Sequence, residues 1–329
     1  MKSLLKYISI SISIILLASC EKIIEFNGEI TEPQVVMNSF ITPDSVIKAH
    51  ISESKFFLSS GYTFKDVENA DVSVLVNHIF KEKMMYTANG IYRSNFKPGV
   101  GDTIRLEVKI PSKNDVSSET IIEPKSNMLT LDTAKVFTGK YPLTHYNNIT
   151  QKEDTIGYNS IYEYHFKLKF KDDEATKNFY RLTVRTKSSL PGGQVSNEYF
   201  FTFDDLVSGN NSNSTVGPPT SLNSNQFNVF SDEMFNGKEY PLTFYVTNNT
   251  TELLPEYEYM NIYYKNIQKE IYVDLQTISK SYYLYLKSRD ASSSSNGVFS
   301  EPIQIHNNIV GGIGILGSYT SNVFEKMDL

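Results

Sequence analysis

Tryptophan is absent from this 329-residue chain, cysteine occurs once and arginine only five times. Each scarcity excludes something. One cysteine builds neither an intrachain disulfide nor a thiolate metal site, so the fold must rest on its own core. Five arginines leave no cluster for phosphate groups. The formal charge of −6 has the wrong sign for a nucleic-acid backbone, or for docking by charge on an anionic lipid surface. The missing indole argues against a sugar-stacking platform. Long apolar runs are also lacking, with one exception at the start of the chain.

That exception is residues 8–17, an isoleucine- and leucine-rich stretch behind Lys2 and Lys6. It is too short to span a bilayer, and its order of charge, apolar core and small residues describes an export signal. Leu17-Ala18-Ser19-Cys20 follows, and a cysteine directly after small residues resembles a bacterial lipobox. Cys20 is therefore the expected lipidation site, diacylated and made the first residue when 1–19 are removed. Two or three acyl chains, at about 0.8 kcal/mol per buried methylene, hold a protein on a membrane almost permanently. The competing reading is a plain secretory signal with a chance cysteine. Cleavage removes two lysines and takes the formal charge to −8.

What the chain has in quantity is tyrosine and phenylalanine, 22 and 20 residues. Such aromatics suit half-buried strands, where the ring packs and a hydroxyl stays wet. The polar residues 20–32 read as a tether, and strand patterns begin after Pro33. Residues 34–41 form an apolar run, Ile47, Ala49 and Ile51 share a face, and Val72, Val74 and Val76 alternate with polar residues. Asn89-Gly90 marks a hairpin turn and residues 97–102 a second turn. Ile104, Leu106, Val108 and Ile110 then alternate with Arg105, Glu107 and Lys109, a period of two that a helix does not give.

Short strands with regular turns predict an Ig-like β-sandwich over residues 33–124. A larger β-rich domain is expected over 125–329, so the class is mainly all-β. In that second part Tyr162, Tyr164, Phe166, Leu168 and Phe170 share a face, and strands are expected at 179–186, 240–247 and 270–275. One short helix is expected from a Ser279 cap to Arg289, with a break at 291–297 and a last core strand at Ile303-Gln304-Ile305. The polar stretch 208–226 reads as a loop.

Several motifs match chemistry by letter but not by context. Gly312-Ile313-Gly314-Ile315-Leu316-Gly317 has the spacing of a dinucleotide loop, yet only twelve residues follow, too few for a crossover helix and return strand. A closely packed strand or bulge explains those glycines better. Ser52-Glu53-Ser54-Lys55 has the S-x-x-K spacing but ends a strand instead of opening a helix. His50, His78, His145, His165 and His306 are too far apart for a local metal site. Asp172-Asp173-Glu174 and Asp204-Asp205 read as solvated turn acids, since neither has the alternating ligands of a calcium loop. No catalytic, cofactor-binding or metal-binding residue is assigned, and the chain is expected not to be an enzyme.

Ordered stretches along the chain resemble a lipoprotein family of Bacteroidetes known as domain of unknown function 4249. They include Cys20-Glu21-Lys22, Val35-Val36-Met37-Asn38-Ser39-Phe40-Ile41, Asn178-Phe179-Tyr180-Arg181-Leu182, Asp232-Glu233-Met234-Phe235 and Asn308-Ile309-Val310-Gly311-Gly312. Four Asp-Ser/Thr-aliphatic triplets, at Asp44, Asp102, Asp132 and Asp154, resemble the O-glycosylation sites of exported proteins from such bacteria. The resemblance carries no catalytic residues. It implies an outer-membrane protein held by its lipid anchor, on the periplasmic face or the cell surface. The expected role is a non-enzymatic accessory of a TonB-dependent transporter, binding its ligand or the receptor itself and no nucleic acid. A structural or adhesive surface protein is the alternative, and a hydrolase assembled from distant residues is a third.

Overall fold

The computed structural model describes residues 32–56, 64–188, 195–197, 202, 204–208, 225–260, 269–294 and 303–328. The export signal, Cys20, nearly all of the tether and residues 209–224 of the polar stretch lie outside them.

Among the described residues the first part carries nine strands. They are β1 (Val35–Ile41), β2 (Lys48–Glu53), β3 (Lys65–Asp66), β4 (Asp71–Val76), β5 (Ile79–Lys83), β6 (Met85–Ala88), β7 (Ile91–Arg93), β8 (Thr103–Lys109) and β9 (Val116–Ile121). Eight follow in the rest: β10 (Asn127–Asn147), β11 (Lys152–Lys171), β12 (Phe179–Ser188), β13 (Val195–Asn197), β14 (Val229–Ser231), β15 (Glu239–Leu253), β16 (Lys269–Ile278) and β17 (Ile313–Asp328). The described residues are thus mainly β, as the alternations predict. The Asn89-Gly90 turn joins β6 to β7 with φ of 51° and 69°, the left-handed pair such a hairpin needs.

One sheet runs through both parts in the order β13-β12-β16-β17-β1-β2-β7-β6, with β14 beside β12 and β3 beside β2. Its middle joint is a parallel pairing of β1 with β17, from Val36 opposite Ile313 to Ile41 opposite Ser318. Gly314 sits at this joint with φ of +126°, and a Cβ there would lie 2.2 Å from the Met37 carbonyl oxygen. The glycine-rich tail is therefore a packed strand, as its context predicts. Because the tail returns to β1, the sheet crosses the boundary expected near residue 124. Ile309 and Leu316 of the tail belong to the same core as Met37, Ile51, Val74 and Leu106.

That first core lies between the β1-β2-β7 end of the long sheet and a four-stranded sheet, β5-β4-β8-β9. A second core lies between the β12-β16 end and a three-stranded sheet, β10-β11-β15. It is aromatic: Phe166 stacks on Phe244, and Phe170 meets the edges of Tyr180 and Phe235. Between the cores, β17 changes character. Leu316 and Phe324 serve one core each. Ser318, Thr320 and Asn322 on the same side of the strand donate to the carbonyls of Ile121, Pro124 and Ser126. This polar seam straps the connection between β9 and β10 onto the long sheet.

Two α-helices occur among the described residues, α1 (Asp205–Ser208), a single turn, and α2 (Lys280–Ser294). The expected helix is α2, which runs past Arg289 through part of the expected break. It covers the opposite face of the long sheet through Tyr282 and Leu286, packed with Phe179, Val229 and Ile278. The Ser279 hydroxyl does not cap it; it accepts the Ser318 N–H at 3.0 Å and ties the helix start to β17. Two further expectations fail. Ile303 and Ile305 form no strand and are 40% and 43% exposed, because β17 already supplies the strand that pairs with β1 and β16. Asp172 is not a solvated turn acid but is buried.

Candidate functional site

Two parts of the second half are built in ways the cores do not require. The first is an arm. β10 and β11 are 21 and 20 residues long, and at roughly 3.3 Å per residue such strands reach about 65 Å. The aromatic core uses only Tyr164 to Phe170 of β11, with Tyr162 at its border. Beyond that border β10 and β11 continue together, backed by β15 as far as Leu253 opposite Gly157. Most side chains there face solvent, including Phe137, Tyr141, Tyr146 and Tyr158, while Ile156 and Ser160 are buried.

The arm is stiffened from its own sequence. Phe137 meets the edge of Tyr162, and the Lys135 ammonium sits 4.1 Å from the centre of the same ring. Lys140 lies over Tyr158 and bonds Glu252 of β15 at 2.8 Å. At the tip the Asn147 carboxamide oxygen accepts the N–H groups of Ile149 and Thr150, and its nitrogen donates to Asp154 at 2.7 Å. That closed turn, with Gln151 at φ of 52°, presents Ile149 at 94% exposure. A water-facing isoleucine on an ordered turn, with exposed aromatics behind it, is the form of an interaction surface.

The second part is a concavity of about 270 Å³ on the three-stranded sheet, bordered by Ala134, His165, Lys167, Thr243 and Tyr245 among others. The register sets Ala134, His165 and Tyr245 side by side, and Asp132, Lys167 and Thr243 in the next row. Both rows point away from the core, since Phe166 and Phe244 between them point in. His165 is flat against Tyr245, with ring centres 5.1 Å apart and 18° between planes, and its Nε2 is 2.7 Å from Glu163.

The buried acids do structural work instead. Asp172 takes the Tyr180 hydroxyl and an Asn178 N–H on one oxygen and the Gly237 N–H at 2.8 Å on the other. Burial first, and then the bond to Asp172, push the Tyr180 hydroxyl far above its ordinary value of 10. Asp232 holds the Asn178 N–H, and the half-buried Asp204 caps α1 through the Leu206 N–H while accepting the Tyr240 hydroxyl. Sequence reasoning missed Asp172 because its partners come from other elements.

The histidines stay apart in role. His50 pairs with Asp66 at 3.0 Å, His78 sits in a turn, His145 lies on the arm, and burial lowers the His306 imidazole. Among the described residues no three of His, Cys, Asp and Glu are grouped to hold a metal ion. Ser52 is buried near the end of β2, and Lys55 lies just past it, so the S-x-x-K letters straddle a strand end. No helix of the described residues is long and apolar enough to cross a membrane.

The profile of a family described as domain of unknown function, DUF4249, matches residues 21–324. No curated protein matches the chain. A crystal structure described as a putative membrane anchored protein from Corynebacterium diphtheriae aligns at 9% identity and a TM-score of 0.20. That alignment covers 86% of this chain and 59% of the other, and a score so low carries no argument.

Proposed function

We propose that this chain, which belongs to the DUF4249 family, is a lipoprotein of the outer membrane, anchored through Cys20, that serves a TonB-dependent transporter as a non-enzymatic binding partner. The arm carries this reading. A protein that only had to be stable would not extend two strands past its core and load them with exposed aromatic rings. Aromatic anchors on a stiff support lose little side-chain entropy on docking, which suits recognition of a receptor's surface loops.

The lipobox supplies the anchor, and the tether gives the body reach from the membrane. Affinity isolation of the native protein from solubilised membranes should recover a TonB-dependent receptor barrel. Ile149→Asp combined with Tyr141→Ala should reduce that recovery at least ~10-fold, as losing central apolar contacts does at protein interfaces. Both residues are exposed, so the variant should melt as wild type does. Equal receptor recovery with the variant, or no receptor with the native protein, contradicts the reading.

A further inference from the structure

We propose that the concavity over Ala134 is a subsite for a neutral, multiply hydroxylated ring, that is, for one unit of a saccharide. In the row Ala134–His165–Tyr245 the imidazole stands between a methyl group and a phenol. Tyr245 covers one of its faces, so the other looks over the alanine, whose small side chain leaves the cavity open. Glu163 fixes the ring through Nε2. An otherwise exposed histidine, 44% accessible, is thus immobilised from two sides as a flat shelf. The pair replaces the flat apolar surface that an indole offers elsewhere.

The groups around the shelf decide the ligand class. Asp132 and Lys167 lie opposite each other in the next row, yet neither makes an ion pair or hydrogen bond among the described residues. One is an acceptor, the other a donor, and their charges cancel. A net anion or cation gains little there. A sugar fits both demands, with its C–H face on the ring and hydroxyl groups that donate to the carboxylate and accept from the ammonium. Thr243 adds a hydroxyl in the same row, and Thr202 closes that side by donating to the Thr243 carbonyl at 2.7 Å. The site lies over the core rather than on the arm, so it stands independently of the receptor reading.

The test uses the full chain in a detergent without a sugar headgroup, applied to an array of neutral oligosaccharides of two to six units, with hits measured by calorimetry. At least one neutral oligosaccharide should bind. Ala134→Phe, which fills the cavity from an exposed strand position, should weaken it at least ~10-fold, and Tyr245→Ala and Asp132→Asn by smaller factors. Thermal melts of each variant separate lost binding from lost folding. Silence across the array, binding confined to charged glycans, or affinity unchanged in folded Ala134→Phe and Tyr245→Ala overturns the assignment.

Discussion

Gly314→Val is expected to cost more than ~3 kcal/mol and to loosen the first half of the molecule from the second. Two penalties act together. The residue holds φ of +126°, a region side chains rarely enter, and a Cβ would meet the Met37 carbonyl oxygen at 2.2 Å. The two nearest atoms are Met37 backbone, and moving the Asn38 side-chain oxygen at 3.0 Å would not relieve them. The only relief is to separate β1 from β17, which is the middle joint of the long sheet. Hydrogen exchange should then show lost protection along β1 and β17, and the first core, which needs Leu316, should open at lower denaturant. Gly101→Ala is the control: its φ is +86°, but a Cβ there meets nothing within 4 Å, so a loss near ~1 kcal/mol is expected. Equal stability of Gly314→Val and wild type contradicts the parallel joint.

Asp172→Ala is expected to remove about 3–5 kcal/mol, because three donors, two from around the start of β12 and one from Gly237, lose one buried acceptor. Asp172→Asn should cost less, since it keeps one oxygen but turns an N–H₂ towards a donor. Tyr180→Phe removes a single bond to a charged group, roughly 1.5–3 kcal/mol. The pH dependence separates this cluster from general core damage. The Tyr180 hydroxyl is held above its ordinary value of 10, so the folded protein keeps a proton that the unfolded chain releases. Its contribution is therefore complete below pH 10 and falls above it, by up to about 1.4 kcal/mol per pH unit. Burial raises Tyr282, Tyr283 and Tyr319 as well, which adds loss of the same sign. Denaturant titrations between pH 8 and 11 should show the slope in wild type and a shallower one in Tyr180→Phe. An unchanged slope contradicts the role given to Tyr180.

Strands that bury one face announced themselves in the sequence. Ile104, Leu106 and Val108 are fully buried with half-buried polar neighbours, and Tyr164 to Phe170 repeat the pattern. β10 did not, because nearly all its residues face solvent and no alternation of polarity is imposed on it. The long sheet was hidden for a different reason: β1 and β17 lie at opposite ends of the chain, and parallel pairing leaves no turn signal. Asp172 misled because a run of acids after a strand looks like a solvated turn, whereas its partners Tyr180 and Gly237 come from β12 and the segment before β15. His165 lies between Tyr164 and Phe166, which share the inward face, so its outward position follows from the alternation alone. Its backing by Tyr245 follows from a cross-strand register that spacing along the chain cannot supply.

The most direct measurement of the central claim is photocrosslinking in intact cells from a photoreactive amino acid at position 149, with Ile79 as the comparison site because it is also a strongly exposed isoleucine, on β5. The account predicts one covalent partner from position 149, a TonB-dependent receptor, and none of it from position 79. Crosslinks that are the same from both positions, or that contain no receptor, would contradict it.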